Sequence, residues 1–453
     1  MIRVGIFVAA AGALSACASL DPYQLNRPVT APRVYAGDLP PSGVAANWWE
    51  GFGDPVLDTL VQQGLDANLD IAIARDRLRA ADALLQAERA DRMPRFDGAA
   101  DATIGLGTSD SDSASVGLLG SFDPDISGRL AAEIRAVAAD YAQAEYIVAD
   151  QRRLVAAAIA AQYIEYRRTG AQLELLAQST DLQERTLRIV TLRFEAGLAA
   201  NLDVRRAAAD LAQTRARRGL IEIARAGAAN RLAILLGQAA GPFAPPPAPG
   251  EKTIPDFAGG PPAGTPADLL RRRADVLAAE AALLRAAAGV GIEQADLRPS
   301  LTIPASVALG DGSIGGILDE FIASVGAVLD LPLFDGGRRR AEVAAAEAEA
   351  DARFGEYRLT FLEALGEVEN ALVALDANGQ RINALREAIE QSEAALEQSD
   401  ALYREGLATL FDVLDAQRQL IASRQSLIDS EAALATAFVS FHAAIGGPDG
   451  QLP

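Results

Sequence analysis

The stretch 129–169 reads RLAAEIRAVAADYAQAEYIVADQRRLVAAAIAAQYIEYRRT and holds neither proline nor glycine. It lies inside one of two long windows, Asp125–Gly241 and Leu333–Gly447, that contain none of the 22 prolines. Proline in a helix interior removes a hydrogen bond and clashes with the preceding turn, at ~3 kcal/mol, so its absence over such lengths marks helix. The filler is Ala, Leu, Glu, Gln and Arg, the best helix formers. Read as one helix, Ile126–Ala196 is roughly 105 Å long at 1.5 Å per residue. A rod of that length must be sheathed by other helices or span a compartment.

Outward from this rod, the chain reads as two copies of one unit. At an offset of 205, Asn68-Leu69-Asp70-Ile71 pairs with Arg273-Ala274-Asp275-Val276, and Pro94 with Pro299. At an offset of 209, Gly128-Arg129 pairs with Gly337-Arg338, Gly197-Leu198-Ala199 with Gly406-Leu407-Ala408, and Asp203-Val204 with Asp412-Val413. Two constant offsets imply an internal duplication of a helix–strand–strand–helix–turn–helix unit. The first helix is expected to start at Asp54-Pro55, a capping residue followed by proline, and to run unbroken to about Arg92. Phe96–Leu106 and Ala114–Phe122 are weak strands by composition, but their length suits a tilted membrane strand. Val413, Leu420, Leu427, Leu434 and Phe441 recur every seven residues, which implies coiled-coil-like seams. The expected division is a leader at 1–16, an anchor and tether at 17–53, a first repeat at 54–236, a proline-rich linker at 237–265, a second repeat at 266–446 and a tail at 447–453.

Composition excludes several classes. The net charge of −20 disfavours nucleic acid. One cysteine and one histidine rule out an internal disulfide framework or a Cys/His metal cluster. No nucleophile motif accompanies the single histidine, so neither an enzyme nor a cofactor is expected. His442 is read as a cap answering the dipole of the last helix. Met1–Ala16 has a basic start, an apolar run and small residues, which is a secretory signal. Leu14-Ser15-Ala16-Cys17 resembles a bacterial lipoprotein signal, which makes Cys17 the lipidation site. Trp48-Trp49 is read as a hydrophobic plug beside the first helix.

Together these features resemble the TolC-like outer-membrane efflux protein family, in its lipoprotein subgroup serving resistance-nodulation-division pumps. The resemblance implies a mostly α fold with a membrane β-barrel contribution: a long helical tunnel plus four strands per protomer, closed as a homotrimer around a 12-stranded barrel. Open sheet edges are intolerable in lipid, so trimerisation would supply closure. It further implies a periplasmic adaptor and an inner-membrane pump as partners, and a lipid-anchored protein of the outer membrane that extends into the periplasm. The turns Gly197, Leu198, Ala199 and Gly406, Leu407, Ala408 match the adaptor-docking tips. Tyr403 matches the gate tyrosine, Asp203 its partner aspartate, and Asp412 and Asp415 the paired lumen aspartates. An aspartate so close to a helix start also caps it or answers the dipole. The gate arginine expected at 408 is alanine here, so the entrance would be held by Tyr403 and apolar contacts such as Leu410 and Phe411. The function expected is a passive exit duct for small toxic compounds. The alternatives are the exit duct of a type I protein-secretion system or a lipid-anchored coiled-coil scaffold. After processing only Met93 and His442 remain of the metal-favouring residues, which favours organic substrates over metals.

Overall fold

The computed structural model describes residues 47–104, 113–241, 243–246, 254–257, 268, 272–309 and 321–446. The leader, Cys17, most of the tether, most of the proline-rich linker and the tail lie outside the described residues. The helices are α1 Pro55–Ala67, α2 Leu69–Ala90, α3 Arg129–Glu195, α4 Asn201–Leu235, α5 Ala274–Ala295, α6 Arg338–Arg404 and α7 Leu410–Ile445. The strands are β1 Arg95–Thr103, β2 Ser113–Phe122, β3 Ser300–Leu309, β4 Phe321–Val325 and β5 Val328–Asp330. Contacts divide the described residues into two units, the first drawn from 75–147 and 275–360, the second from 47–74, 148–274 and 361–446.

The first unit carries an antiparallel sheet in the order β1-β2-β3-β4, with β5 also on β3. Its registers sort the side chains onto two faces. One face presents Phe96, Val116, Leu118, Phe122, Ile303, Val307, Phe321 and Val325, separated by Gly and Ala, and carries no charged or hydroxyl side chain within the strands. The other presents Arg95, Asp97, Asp101, Ser115, Ser121, Ser306, Ser324 and Asp330, with Leu119, Ile322 and Val328 among them. Hydrogen bonds respect the register: Ser115 donates to Asp101, and the Ser306 and Ser324 hydroxyls lie 2.7 Å apart. β4 and β5 share one register on β3 and form a single interrupted arm. The break has a cause. Pro304 stands opposite Gly326; its carbonyl accepts from Gly326 N at 2.9 Å, but it has no N–H to return the bond. Among the described residues, four arms therefore carry five strand segments, and β1 and the β4/β5 arm each pair on one side only.

The helices of this unit pack through small residues, as the alanine content implies. Ala286, Val290 and Ala350 form one cluster, and a Cβ on Gly291 would meet that of Ala132 at 3.5 Å. Arg129–Asp296 at 3.1 Å and Arg285–Asp140 at 3.0 Å tie α3 to α5. α3 starts at Arg129, three residues later than Ile126, because Asp125–Gly128 form a turn. The Asp125 carboxylate accepts from the backbone N–H groups of Leu130 (2.9 Å) and Ala131 (2.8 Å), capping the helix.

The second unit is built on a core of Trp48, Trp49, Phe52, Leu57, Val61, Ile159, Tyr163, Leu232 and Val439. The tryptophans therefore sit inside the protein as a plug. Asp54 caps α1, accepting from Val56 N at 3.0 Å, and also accepts from Tyr163 Oη (2.8 Å) and Arg167 Nη1 (3.1 Å). The expected unbroken first helix is corrected here: Asn68 is extended (ψ 134°) and separates α1 from α2. Its Oδ1 accepts from Asp70 N at 2.8 Å and Ile71 N at 3.2 Å, capping α2, while its Nδ2 donates to Leu235 O at 2.9 Å.

His442 also departs from expectation. Its ring is 5% exposed, stacks on Trp48 (5.4 Å between centroids, 8° between planes) and lies against Phe257 and Phe441. Neither ring nitrogen has a hydrogen-bond partner among the described residues. Burial lowers its pKa to about 4. A neutral aromatic filler of this kind contributes no cap charge to the dipole.

Candidate functional site at the paired helix turns

Two turns in the second unit repeat one geometry. α3 ends at Glu195 and Gly197 follows at φ 75°; α6 ends at Arg404 and Gly406 follows at φ 76°. This left-handed backbone favours glycine, and both turns close by the same pair of bonds. Gly197 N donates to Phe194 O (2.9 Å) and Leu198 N to Arg193 O (2.8 Å); Gly406 N donates to Tyr403 O (3.0 Å) and Leu407 N to Leu402 O (2.8 Å). The bonds satisfy orphan carbonyls at each helix end and turn the next side chain outward. Leu198 is 69% and Leu407 76% exposed, beside half-buried Ala199 and Ala408.

The helices that leave the turns start differently. α7 opens with a capping box: Thr409 N donates to Asp412 Oδ2 at 2.8 Å, and Asp412 N to Thr409 Oγ1 at 3.4 Å. The Thr409 side-chain hydrogen bond, then its backbone, holds the Asp412 carboxyl below the usual carboxylate range. α4 has Ala200 at the equivalent place and no side-chain cap. Asp203 there faces Arg206 at 3.9 Å.

Beneath the turns, Val190, Ala207, Tyr403, Leu410, Val413 and Leu414 form a separate core. Tyr403 is only 7% exposed, and its hydroxyl has no hydrogen-bond partner among the described residues. Burial raises its pKa, with Asp203 adding a smaller rise. Asp203 is thus near Tyr403 but does not bond to it. Leu410 is buried in the same core, whereas Phe411 is exposed.

Three charged residues that the sequence reading did not single out complete the site. The Arg193 guanidinium lies 4.8 Å from the Tyr403 ring centroid, and its Nη1 donates to the carbonyl oxygens of Tyr403 and Arg404, both at 3.3 Å. Arg418 lies 3.9 Å from Asp210, 3.8 Å from Asp415 and 5.9 Å from the Phe411 ring. Asp415 itself is exposed. The i, i+3 spacing of Asp415 and Arg418 was a readable signal. Asp210, about 200 positions away, offered none. No metal-binding group of three His, Cys, Asp or Glu occurs among the described residues.

Comparison with known proteins gives a family, two relatives and a solved structure. A family model described as "Outer membrane efflux protein" matches residues 60–238 and 265–447. The chain is 32% identical to nodulation protein T of Rhizobium leguminosarum bv. viciae over 428 residues, 91% of this chain and 85% of that protein. It is 29% identical to the pyoverdine export outer membrane protein OpmQ of Pseudomonas aeruginosa, over 96% of this chain and 94% of that one. The solved structure of the outer-membrane channel OprN superposes with a TM-score of 0.87 at 29% identity, covering 97% of this chain and all of that one.

Proposed function

The chain belongs to the outer membrane efflux protein family, and on that premise we propose that it conducts small organic molecules as the exit duct of a tripartite efflux system. It is a passive transport duct rather than an enzyme. The observation that carries the reading is the two-faced sheet. A face of Phe, Val, Leu and Ile left in water forfeits ~25 cal/mol for every Å² of apolar surface, so it needs a lipid cover. Ser and Asp on the opposite face suit a wet lumen. The two half-paired edges of the sheet supply the second support. In hydrocarbon each unpaired backbone group costs several kcal/mol, so the edges must join those of other copies. Three copies, each adding one four-armed sheet, close the barrel.

Leu198 and Leu407 with their flanking Gly197, Ala199, Gly406 and Ala408 form the docking surface for a periplasmic adaptor that links the duct to an inner-membrane pump. Their exposure supports this, since a tip-to-tip contact needs small apolar surface. Tyr403, Asp203, Asp412 and Asp415 belong to the duct's inner entrance. Cys17 carries the lipid that anchors the chain in the outer membrane. A Cys17→Ser variant that still took up labelled palmitate would remove that anchor. The organic class of substrate rests on the scarcity of Met and His and on the export role in the name of OpmQ.

Recording from the purified protein in planar bilayers tests the reading. Detergent-extracted oligomers should give discrete, cation-preferring conductance steps. Protein that remains oligomeric and folded yet conducts nothing would contradict it.

A further inference from the structure

The two turns are related by the duplication, but the residues behind them are not equivalent. At the 209-residue offset Arg193 corresponds to Leu402, and Phe194 to Tyr403. Arg193, on the last turn of α3, therefore has no counterpart on α6. It reaches across to α6, where its guanidinium covers the Tyr403 ring at 4.8 Å and donates to the carbonyls of Tyr403 and Arg404.

Those carbonyls are the last of α6, so two helices bring their C-terminal ends to one place. Each end carries a partial negative charge near half an electron, and two such ends side by side repel. A fixed cation between them turns that repulsion into attraction. Arg193 belongs to one end and hydrogen-bonds the other, and a guanidinium can lie over a ring while a fixed fork of N–H groups donates beyond it. The ring it covers is held in a dry core by Val190, Leu410 and Val413, so the contact has a rigid seat. The Tyr403 hydroxyl plays no part, since it has no partner among the described residues.

We propose that Arg193 is the latch that holds the two helix-turn tips together and restrains the inner entrance. The role as entrance latch rests on the exit-duct reading; the joining of the tips does not.

Two readouts on the intact oligomer separate these levels. Arg193→Ala should raise open-state conductance or dwell time several-fold in planar bilayers. It should also speed amide exchange at Gly406 and Leu407, whose bonds close the turn beside it. Arg193→Lys keeps the charge between the helix ends and should fall between Ala and the unsubstituted protein. Tyr403→Leu removes the stacked ring and should loosen the same tip, and the double variant should add little to the worse single one, because both remove one contact. Unchanged exchange in Arg193→Ala would overturn the proposal outright. Faster exchange with unchanged conductance would reduce Arg193 to a helix cap and overturn the latch. If the unsubstituted protein forms no pore, the exit-duct reading fails, and amide exchange still decides whether Arg193 joins the tips.

Discussion

Arg273 occupies in the second repeat the place of Asn68 in the first. Arg273 Nη1 donates to Ala444 O at 3.0 Å, as Asn68 Nδ2 donates to Leu235 O at 2.9 Å. The acceptors are themselves equivalent by the 209-residue offset. The glycines two positions later approach equivalent carbonyls, Gly237 that of Ala67 and Gly446 that of Arg272. Two chemically different side chains thus pin the same helix junction, and the duplication survives at the level of single hydrogen bonds.

The junction sets a stability prediction. Asn68→Ala removes a helix cap and leaves Leu235 O without its side-chain donor, at a cost of about 1–2 kcal/mol. Arg273→Ala leaves Glu367, now 2.5 Å from the guanidinium, and Ala444 O without it, at a cost of about 1–3 kcal/mol. Thermal unfolding of the solubilised protein should show both losses. No shift in either variant would mean that these bonds merely decorate a junction fixed by packing.

How much of this was legible in the sequence depends on distance along the chain. The proline-free windows and the two offsets located the long helices within a few residues, since helix formation is local. The break at Asn68 was missed because Asn-Leu-Asp continues a helical pattern, and the carbonyl that rewards the break lies at Leu235. Strands rich in Gly, Ala and Ser gave weak signals. Only the register shows that their alternation is consistent across four arms, and only it sets Pro304 against Gly326. At the turns, glycine and leucine were readable because a left-handed backbone demands glycine. The stacking of Arg193 on Tyr403 joins residues 210 positions apart, and no local pattern reports it. His442 was misread for a related reason: the dipole argument considers its own helix, whereas Trp48 and Phe257 decide its state.

Burial of His442 makes stability depend on pH. With its folded pKa near 4 and an unfolded value near 6.5, the unfolded chain binds the extra proton between these limits. Stability is therefore full above about pH 6.5 and falls as the pH drops toward 4, by roughly 3 kcal/mol in all. His442→Phe should flatten that part of the stability profile. An identical slope in the variant would assign the acid sensitivity to other groups.

The turn surface predicts a separation of assembly from transport. Leu198→Asp combined with Leu407→Asp changes two exposed side chains, so the oligomer should form normally. Efflux in living cells should nevertheless be lost, because the adaptor would meet charge where it needs apolar surface. Unaltered drug tolerance in the double variant would place docking elsewhere.

Asp412 and Asp415 should behave differently although three residues apart. Asp412 is held in the capping box, so Asp412→Ala should lower the melting temperature. Exposed Asp415, with Arg418 at 3.8 Å, is freer to meet ions. Asp415→Ala should weaken cation preference and block by divalent ions without loosening the fold. Bilayer selectivity paired with thermal unfolding separates the two effects, and a selectivity change in Asp412→Ala alone would reverse the assignment.

If the two-faced sheet crosses a membrane around a wet lumen, thiol accessibility must alternate along its strands. The chain has one native cysteine, so single cysteines along β2 and β3 in a Cys17→Ser background report unambiguously. In liposomes, a membrane-impermeant thiol reagent should label Ser115→Cys, Ser121→Cys and Ser306→Cys, and should leave Val116→Cys, Leu118→Cys and Val307→Cys unmodified. Equal labelling of both sets would show that water reaches both faces, and a membrane barrel would be contradicted.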